Sequence, residues 1–530
     1  MIVWKLAPLI SQQGSGKMIG LVAVIAAITF LGVKWYKSAF QRPAKNFPPG
    51  PPRLPIWGAY WIVLAREFNN LGGSIRKLAL DYKTTVVGMY LGDFPTIVID
   101  DPKLIKEGLY NQDLDGRNDI FVARLRSYWK IFGIFFTDGY FWHVQRRFTF
   151  RNLRDFGFGR RDESLETVMA NDTKEMIDMV NNGPQNEHEK KIVNGDLIYL
   201  PHYFDAPSIN GMMHIFTRSV FPRSEYNKIW DLGRITMMFQ RGTNDFGGSL
   251  SLTPWLKDVL PNYSGYKDLR KSSLYLLNFF TDVINNAKKN HDPSHDRHFI
   301  DTYLRQMNEE KSKSERTTFS DDQFKLVLTD YMIPAASAFA TVLTLLVERV
   351  LHHPIVQDKI HEEIDRVVGR DRLPTLDDRK NMPYTEACIR EIMRVETLVP
   401  LGIPHRAMKD VKLDGYDIPQ NTIVTFNYPT LHNDKELWGD PENFRPERFI
   451  VNGQLDLSKD KSLPFGAGGR LCPGETFARQ GMFLVFAAFM QAFTISTADG
   501  KPRKIEPKIQ GLITNLPDFW IRVKPRNYAH

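Results

Sequence analysis

Pro464 to Gly474 reads PFGAGGRLCPG, and ETFARQGMFLVFAAFMQAF (475–493) follows it. Three glycines precede a cysteine in a short loop, and the run after it has the apolar density of a buried helix. Cys472 is predicted at, or just before, a helix N-terminus, with Pro473 suited to the first helical position. Unpaired N–H groups and the positive end of the helix dipole favour a thiolate there. Glycines leave room for a flat group to lie against the backbone. A lone cysteine before a helix is more often inert. The spacing F-x-x-G-x-R-x-C-x-G, met by Phe465, Gly468, Arg470, Cys472 and Gly474, is far rarer.

On those residues the loop strongly resembles that of the cytochromes P-450, which hold haem by a cysteine thiolate. The resemblance implies haem b as cofactor, Cys472 as axial iron ligand, and Phe465 packed against it. Three further motifs stand in the expected order. Glu391 and Arg394 are spaced i,i+3 on a predicted helix; alone, such a pair is usually a solvated face. WGDPENFRPERF (438–449) follows, and the resemblance implies that Arg448 closes a buried network with Glu391 and Arg394. A buried charge left unpaired is strongly destabilising, so these three read as structural. Upstream, Trp142 and Arg146 in FWHVQRRF share one helix face, and the family sets that pair on a haem propionate. The fork of arginine suits a carboxylate. His405, in IPHRAMKD, matches a position that serves the other propionate, with Arg406 a rival one register away. The stretches GRNDIFVARLR (116–126) and WHVQRRFTFRNLRDFGFGRR (142–161) resemble microsomal animal members, and the overall texture an insect one.

The chain departs from the family on the helix that crosses the haem. Between Asp330 and His353-Pro354, the expected A-G-x-D/E-T run falls on Pro334, Ala335, Ala336, Ser337 and Ala338. Ser337 replaces the usual acid and Ala338 the usual threonine, the two groups that order proton delivery to dioxygen. Ser337 and Thr341 are the candidate substitutes on that helix. Pro334 removes a backbone hydrogen bond and is predicted to kink it. Substrate contacts are expected after Arg117, at Ala335 to Phe339, at Leu401 and Ile403, and at Leu512 and Ile513. They are mostly apolar, which suits a lipophilic substrate. The second cysteine, Cys388, reads as a small core residue.

Toward the N-terminus the character changes. Met18 to Val33 is sixteen uncharged residues between Lys17 and Lys34. A spanning helix needs about 20, and Trp35 and Tyr36 extend the run at an interface. A cleaved signal peptide is the competing reading, but bulky Trp35 and Tyr36 stand where a cleavage site needs small residues. Lys34, Lys37, Arg42 and Lys45 place the following body on the cytoplasmic side. FPPGPPRLPIWG (47–58) is proline-rich and stiff. The expected organisation is an anchor over 1–36, a hinge over 37–58 and a haem domain over 59–530.

TTVVGMYL and PTIVID, around GDF, predict a hairpin over 84–100, and Asp101-Pro102 a helix start. From about 103 to 410 the pattern is mainly helical. Val411 to Asn427 returns to strand, with Asp414-Gly415 as its turn. Polar stretches at 181–195, 291–298 and 308–318 read as surface loops. The fold class is mainly α with a small β part. Composition agrees: 42 % hydrophobic and 25 % charged residues, two cysteines and a net charge of +8 over 530 residues. That excludes a disordered or collagenous chain and a disulfide framework, suggests a reducing compartment, and gives no argument for nucleic acid.

Three functions remain open. The first is a monooxygenase of the endoplasmic reticulum membrane, fed by an NADPH-dependent flavoprotein reductase, with cytochrome b5 as an optional second partner. Arg470 and Arg479 are its candidate docking cations. The second is a haem-thiolate isomerase or dehydratase acting on lipid peroxides, which needs neither reductase nor protons. The third is a non-catalytic haem- or lipid-binding protein.

Overall fold

The computed structural model describes residues 15–242, 248–292, 295–313, 317–500, 508–509 and 511–526. Residues 1–14 of the expected anchor, and parts of the 291–298 and 308–318 stretches, lie outside these.

Strands β1 (Val86–Leu91) and β2 (Phe94–Ile99) form the expected hairpin, with Val86 opposite Ile99 and the chain turning at Gly92. The Asp101 carboxylate accepts the N–H groups of Lys103 and Leu104, both at 2.9 Å, and Pro102 takes the first position of a helix running to Tyr110. That N-cap satisfies two donors a helix start leaves open. Three further strands are too short to show a period in sequence: β3 (Gly116–Arg117), and β4 (Val193–Asn194) with its partner β5 (Leu197–Leu200). The region 103–410 is therefore less uniformly helical than its pattern predicts. The Asp414-Gly415 turn is present, both residues at positive φ, joining Val411–Leu413 to Tyr416–Ile418.

Strands β6 (His405–Arg406) and β7 (Ile423–Phe426) complete the first sheet in the order β1-β2-β7-β6-β3. Its far edge pairs Arg117 with His405. The second sheet runs β8 (Phe493–Thr497), β9 (Phe519–Pro525), β5, β4, with each neighbour antiparallel.

Helices make up the rest. The ones that place the site are α2 (Gly139–Arg154), α3 (Glu163–Asn181), α4 (Asp205–Thr217), α5 (Tyr226–Arg241), α6 (Asp321–Leu351), α7 (Pro383–Glu396) and α8 (Glu475–Ala492). Helix α6 is apolar nearly all round, as a helix buried on every side must be. It packs against α4, α5, α7 and α8. Phe483 and Phe486 of α8 are fully buried, each worth about 1.5–3 kcal/mol of apolar transfer. The 308–318 stretch is not a loop throughout: a helix runs from Phe299 to Lys313, carried by its buried Tyr303, Leu304 and Met307.

Helix α1 (Ser15–Ala39) contains the apolar run and continues past Trp35, reaching 25 residues. Its Gly20–Ala39 part is long and apolar enough to cross a membrane, and residues 20–37 are exposed. Helix α6 passes the same length and composition test but lies in the core. The chain leaving α1 meets the body at once. Ala39 is buried, and its carbonyl accepts the Arg53 N–H at 2.9 Å. Pro49 accepts the Gly88 N–H at 2.8 Å, and Arg42 donates to the Gly50 carbonyl at 2.6 Å. The proline-rich segment is thus stitched to β1.

Candidate active site

The cysteine loop is clamped from both sides. Cys472 N–H donates to the Phe465 carbonyl at 2.9 Å. Gly468 sits at φ +67, where a Cβ would come within 1.9 Å of the Leu109 carbonyl oxygen. Only glycine allows both the backbone angle and that approach to the 102–110 helix. The turn at Gly468–Arg470 and this closure use up chain, so α8 starts at Glu475 with Gly474 as N-cap. Pro473 lies before the helix, not at its first position. Burial pushes the Cys472 thiol up, against the pull of the Gly474 N–H and Arg146. The helix end alone therefore does not make the expected thiolate; a coordinated metal ion deprotonates a thiol outright. Arg479 lies over the Phe465 ring at 4.9 Å and pairs with Glu475 at 2.8 Å.

Beside this loop the fold gathers positive charge. Arg470 stacks on the Trp142 ring at 3.7 Å and donates to the carbonyls of Asp115 at 2.8 Å and Thr137 at 3.0 Å. Burial, with Arg117 and Arg146 close by, brings its guanidinium down to about 8. Arg470 is turned inward, which withdraws it from the docking surface expected of it. Arg146 lies 5.4 Å from the Trp142 ring centre and donates to the Leu471 carbonyl. Arg117 is buried on β3. Its Nε donates to the Phe135 carbonyl at 3.1 Å, and burial lowers it to about 10. His405, paired with Arg117 across the strands, donates from Nδ1 to the Leu114 carbonyl at 2.8 Å. Burial and Arg117 hold it neutral, well below the usual histidine range, so Nε2 presents a lone pair. Arg406 points the other way, onto Asp138 at 2.6 Å and Asn421 at 2.8 Å. Alternation along β6 thus puts His405 in the cluster and Arg406 outside it.

Three guanidiniums, Arg117 buried and Arg146 and Arg470 half-buried, gather beside the carboxyls of Asp115 and Asp138, an arrangement that favours further anions. Arg117 Nη1 and Trp142 Nε1 are buried without a hydrogen-bond partner among the described residues. Such orphans cost free energy unless a ligand takes them. A flat, dianionic group lying over the glycine loop meets both needs, and the two propionates of haem have that charge and reach. The residues fit the cofactor: Trp142, Arg146, Arg470 and Arg117 would hold its carboxylates, and Cys472 its metal. Sequence reading passed over Arg117 as a ligand. Nothing local marks it; only the β3–β6 pairing brings it to His405.

Helix α6 is unbroken through Pro334. Pro334 and Ala338, one turn apart, are its accessible positions in this stretch, whereas Ser337 and Thr341 are buried. Ser337 Oγ donates to the Ile333 carbonyl at 2.7 Å and accepts from Gln240 Nε2 at 3.2 Å. Thr341 Oγ1 lies 2.8 Å from the Ser337 carbonyl and 3.1 Å from Asn515 Oδ1. Both candidate hydroxyls are committed to the helix backbone and to its neighbours. The side chain at Ala338 offers none.

The third group is brought together as expected. Arg394 makes a two-pronged pair with Glu391 at 2.9 and 2.7 Å, and Arg448 Nε reaches the same carboxylate at 2.9 Å. Glu391 and Arg394 are fully buried. Arg394 also donates to the His432 carbonyl at 2.7 Å. His432 Nε2 in turn accepts the Leu463 N–H at 3.2 Å, just ahead of the cysteine loop. Burial and Arg394 bring His432 down to about 3, so it stays neutral and its Nδ1–H faces Thr397 Oγ1 at 2.7 Å. The network thus braces the loop that carries Cys472.

Comparison with known proteins agrees with this geometry. A family profile described as cytochrome P-450 matches residues 48–521. Farnesoate epoxidase of Bombyx mori is 29 % identical over 482 residues, covering 91 % of this chain and 94 % of the relative. Cytochrome P-450 2U1 of Rattus norvegicus is 30 % identical over 535 residues, 96 % of each. The probable cytochrome P-450 305a1 of Drosophila melanogaster is 29 % identical over 477 residues, 88 % of this chain and 91 % of the relative. With a cysteine loop, a cationic cradle and a family match that span the whole body, the chain belongs to the cytochrome P-450 family of haem-thiolate monooxygenases.

Proposed function

We propose that Cys472 is the axial haem ligand of a monooxygenase that inserts one oxygen atom from dioxygen into a lipophilic substrate, with electrons from an NADPH-dependent flavoprotein reductase. The observation that carries this is the cluster of guanidiniums beside the cysteine loop, with the buried donors Arg117 Nη1 and Trp142 Nε1 unfilled among the described residues. Bound haem supplies the dioxygen and electron chemistry. The chain's own residues do the rest. Arg117, Arg146, Arg470 and the Trp142 N–H bind and orient the propionates. The Glu391–Arg394–Arg448 network holds the thiolate loop in register. Pro334 and Ala338, the accessible positions of α6 in this stretch, with Leu512 and Ile513, supply an apolar wall for the substrate.

The apolar Gly20–Ala39 helix and the lysines after it support attachment to the endoplasmic reticulum membrane, with the body in the cytoplasm. The farnesoate epoxidase likeness favours an isoprenoid-like lipid among lipophilic substrates.

One observation favours a second reading, rearrangement of a lipid peroxide: no hydroxyl stands at Ala338, and those of Ser337 and Thr341 are engaged elsewhere. Turnover under labelled dioxygen, with and without reductase, separates the two. Label in the product and an absolute need for reductase are the expected result. Unlabelled product from a lipid hydroperoxide without reductase would establish the rearrangement instead.

A further inference from the structure

We propose that Asp115 is a cofactor-binding residue whose carboxyl group, in its neutral form, donates a hydrogen bond to a haem propionate. This rests on haem being seated over Cys472. Asp115 is only 8 % exposed, and its Oδ1 has no partner among the described residues. Three guanidiniums act on it, Arg470 on the cysteine loop, Arg117 on β3 and Arg146 on α2, with the His143 imidazole of α2 also near. Asp138 acts on the same arginines, and His405 and Tyr428 border Arg117. Yet the hydrogen bonds of these guanidiniums end on main-chain carbonyls. Arg117 goes to Phe135, Arg470 to Thr137 and to the carbonyl of Asp115 itself, and Arg146 to Leu471.

An ionised carboxylate with a buried oxygen and no donor is costly. A neutral carboxyl has the opposite need: one acceptor for its O–H. The propionates are the acceptors that Arg117 Nη1 and Trp142 Nε1 also lack. Burial pushes the Asp115 carboxyl up, and the surrounding cations offset that only in part. The resulting carboxyl–carboxylate bond belongs to the short, charge-assisted class.

The test uses the full-length, haem-loaded protein with Asp115→Asn and Asp115→Ala. At neutral pH the wild type should show a neutral-carboxyl stretching band in infrared difference spectra. The band should shift in D2O and be missing from both variants. Haem transfer to an acceptor globin should be as slow in Asp115→Asn, which keeps a donor, as in the wild type. In Asp115→Ala it should be about tenfold faster or more, since a hydrogen bond to a charged group is lost. Raising the pH should speed transfer from the wild type and leave Asp115→Asn unchanged. Absence of the band at neutral pH, or equal transfer rates in the two variants, overturns the proposal. The CO-bound spectrum keeps the two readings apart. A thiolate-type band in the wild type means the haem assignment stands even if the Asp115 proposal falls, and its absence removes both.

Discussion

Cys472 and Cys388 are chemically the same residue in opposite settings. Cys388 is fully buried on α7, where burial and the carboxylates of Glu363, Glu447 and Glu391 push its thiol well up, outweighing the pull of Lys359. Cys472 stands half-exposed at the mouth of the cationic cradle. Cys472→Ala should abolish the thiolate-type CO spectrum, and Cys388→Ala should leave it intact; difference spectra of the two variants check this. A second residue-scale expectation concerns proton delivery. With no hydroxyl at position 338, much of the NADPH consumed should end as peroxide or water. Ala338→Thr should raise product formed per NADPH, because one positioned proton-transfer group is worth roughly 10²–10⁴-fold in typical enzymes. Helix α6 is continuous through Pro334, so the new hydroxyl projects from the accessible face beside that proline. Coupling measured on both proteins tests it.

At the scale of elements, the buried network ties α7 to the 432–448 segment and, through His432, to the cysteine loop. Arg448→Met leaves the fully buried Glu391 carboxylate with Arg394 alone of its two guanidinium partners. It should cost roughly 3–5 kcal/mol, read as a fall in denaturant midpoint together with poor haem incorporation. The effect on spectrum type should be small in the molecules that do load, since Cys472 itself is unchanged. This network was legible only through the family resemblance, because the i,i+3 spacing of Glu391 and Arg394 by itself reads as a solvated face. The Phe94–Ile99 strand and the Asp101 cap were legible from the residues themselves, since β-branched runs and an Asx-Pro pair act locally. The short strands β3, β4 and β5 were not, having too few residues to show a period. The part played by Arg117 was hidden for a related reason. Its burial and its histidine neighbour come from pairing with β6, far along the chain, and no local pattern encodes that. The last part of the 299–313 helix, from 308 on, was misread as loop because its residues are polar and charged, while the buried Tyr303, Leu304 and Met307 that carry the helix lie before it.

On the scale of the whole molecule, the body and the N-terminal helix answer to different solvents. Deleting residues 1–36 should weaken membrane association without unfolding the body, checked by flotation with vesicles and by the CO spectrum. Residual binding is expected from Trp255, Val259 and Tyr263, which form an exposed apolar strip; Tyr263 is 92 % exposed. Two sequons, Asn171-Asp172-Thr173 and Asn262-Tyr263-Ser264, present exposed asparagines. A cytoplasmic body never meets the glycosylation machinery, so protein from a eukaryotic cell should carry glycan at neither. Glycan at either site would reverse the orientation.

The seam at Ala39 has a further consequence. Because the end of α1 is hydrogen-bonded to Arg53 and the following chain is sewn to β1, the tether has almost no slack. A protein moored that tightly shares its surroundings with whatever dissolves in the lipid, and a greasy substrate is hardly in the water at all. Dose is then counted per lipid molecule, not per litre. At a fixed amount of ligand, doubling the vesicles should dilute it and lower haem-site occupancy, and restoring the ligand-to-lipid ratio should bring the occupancy back.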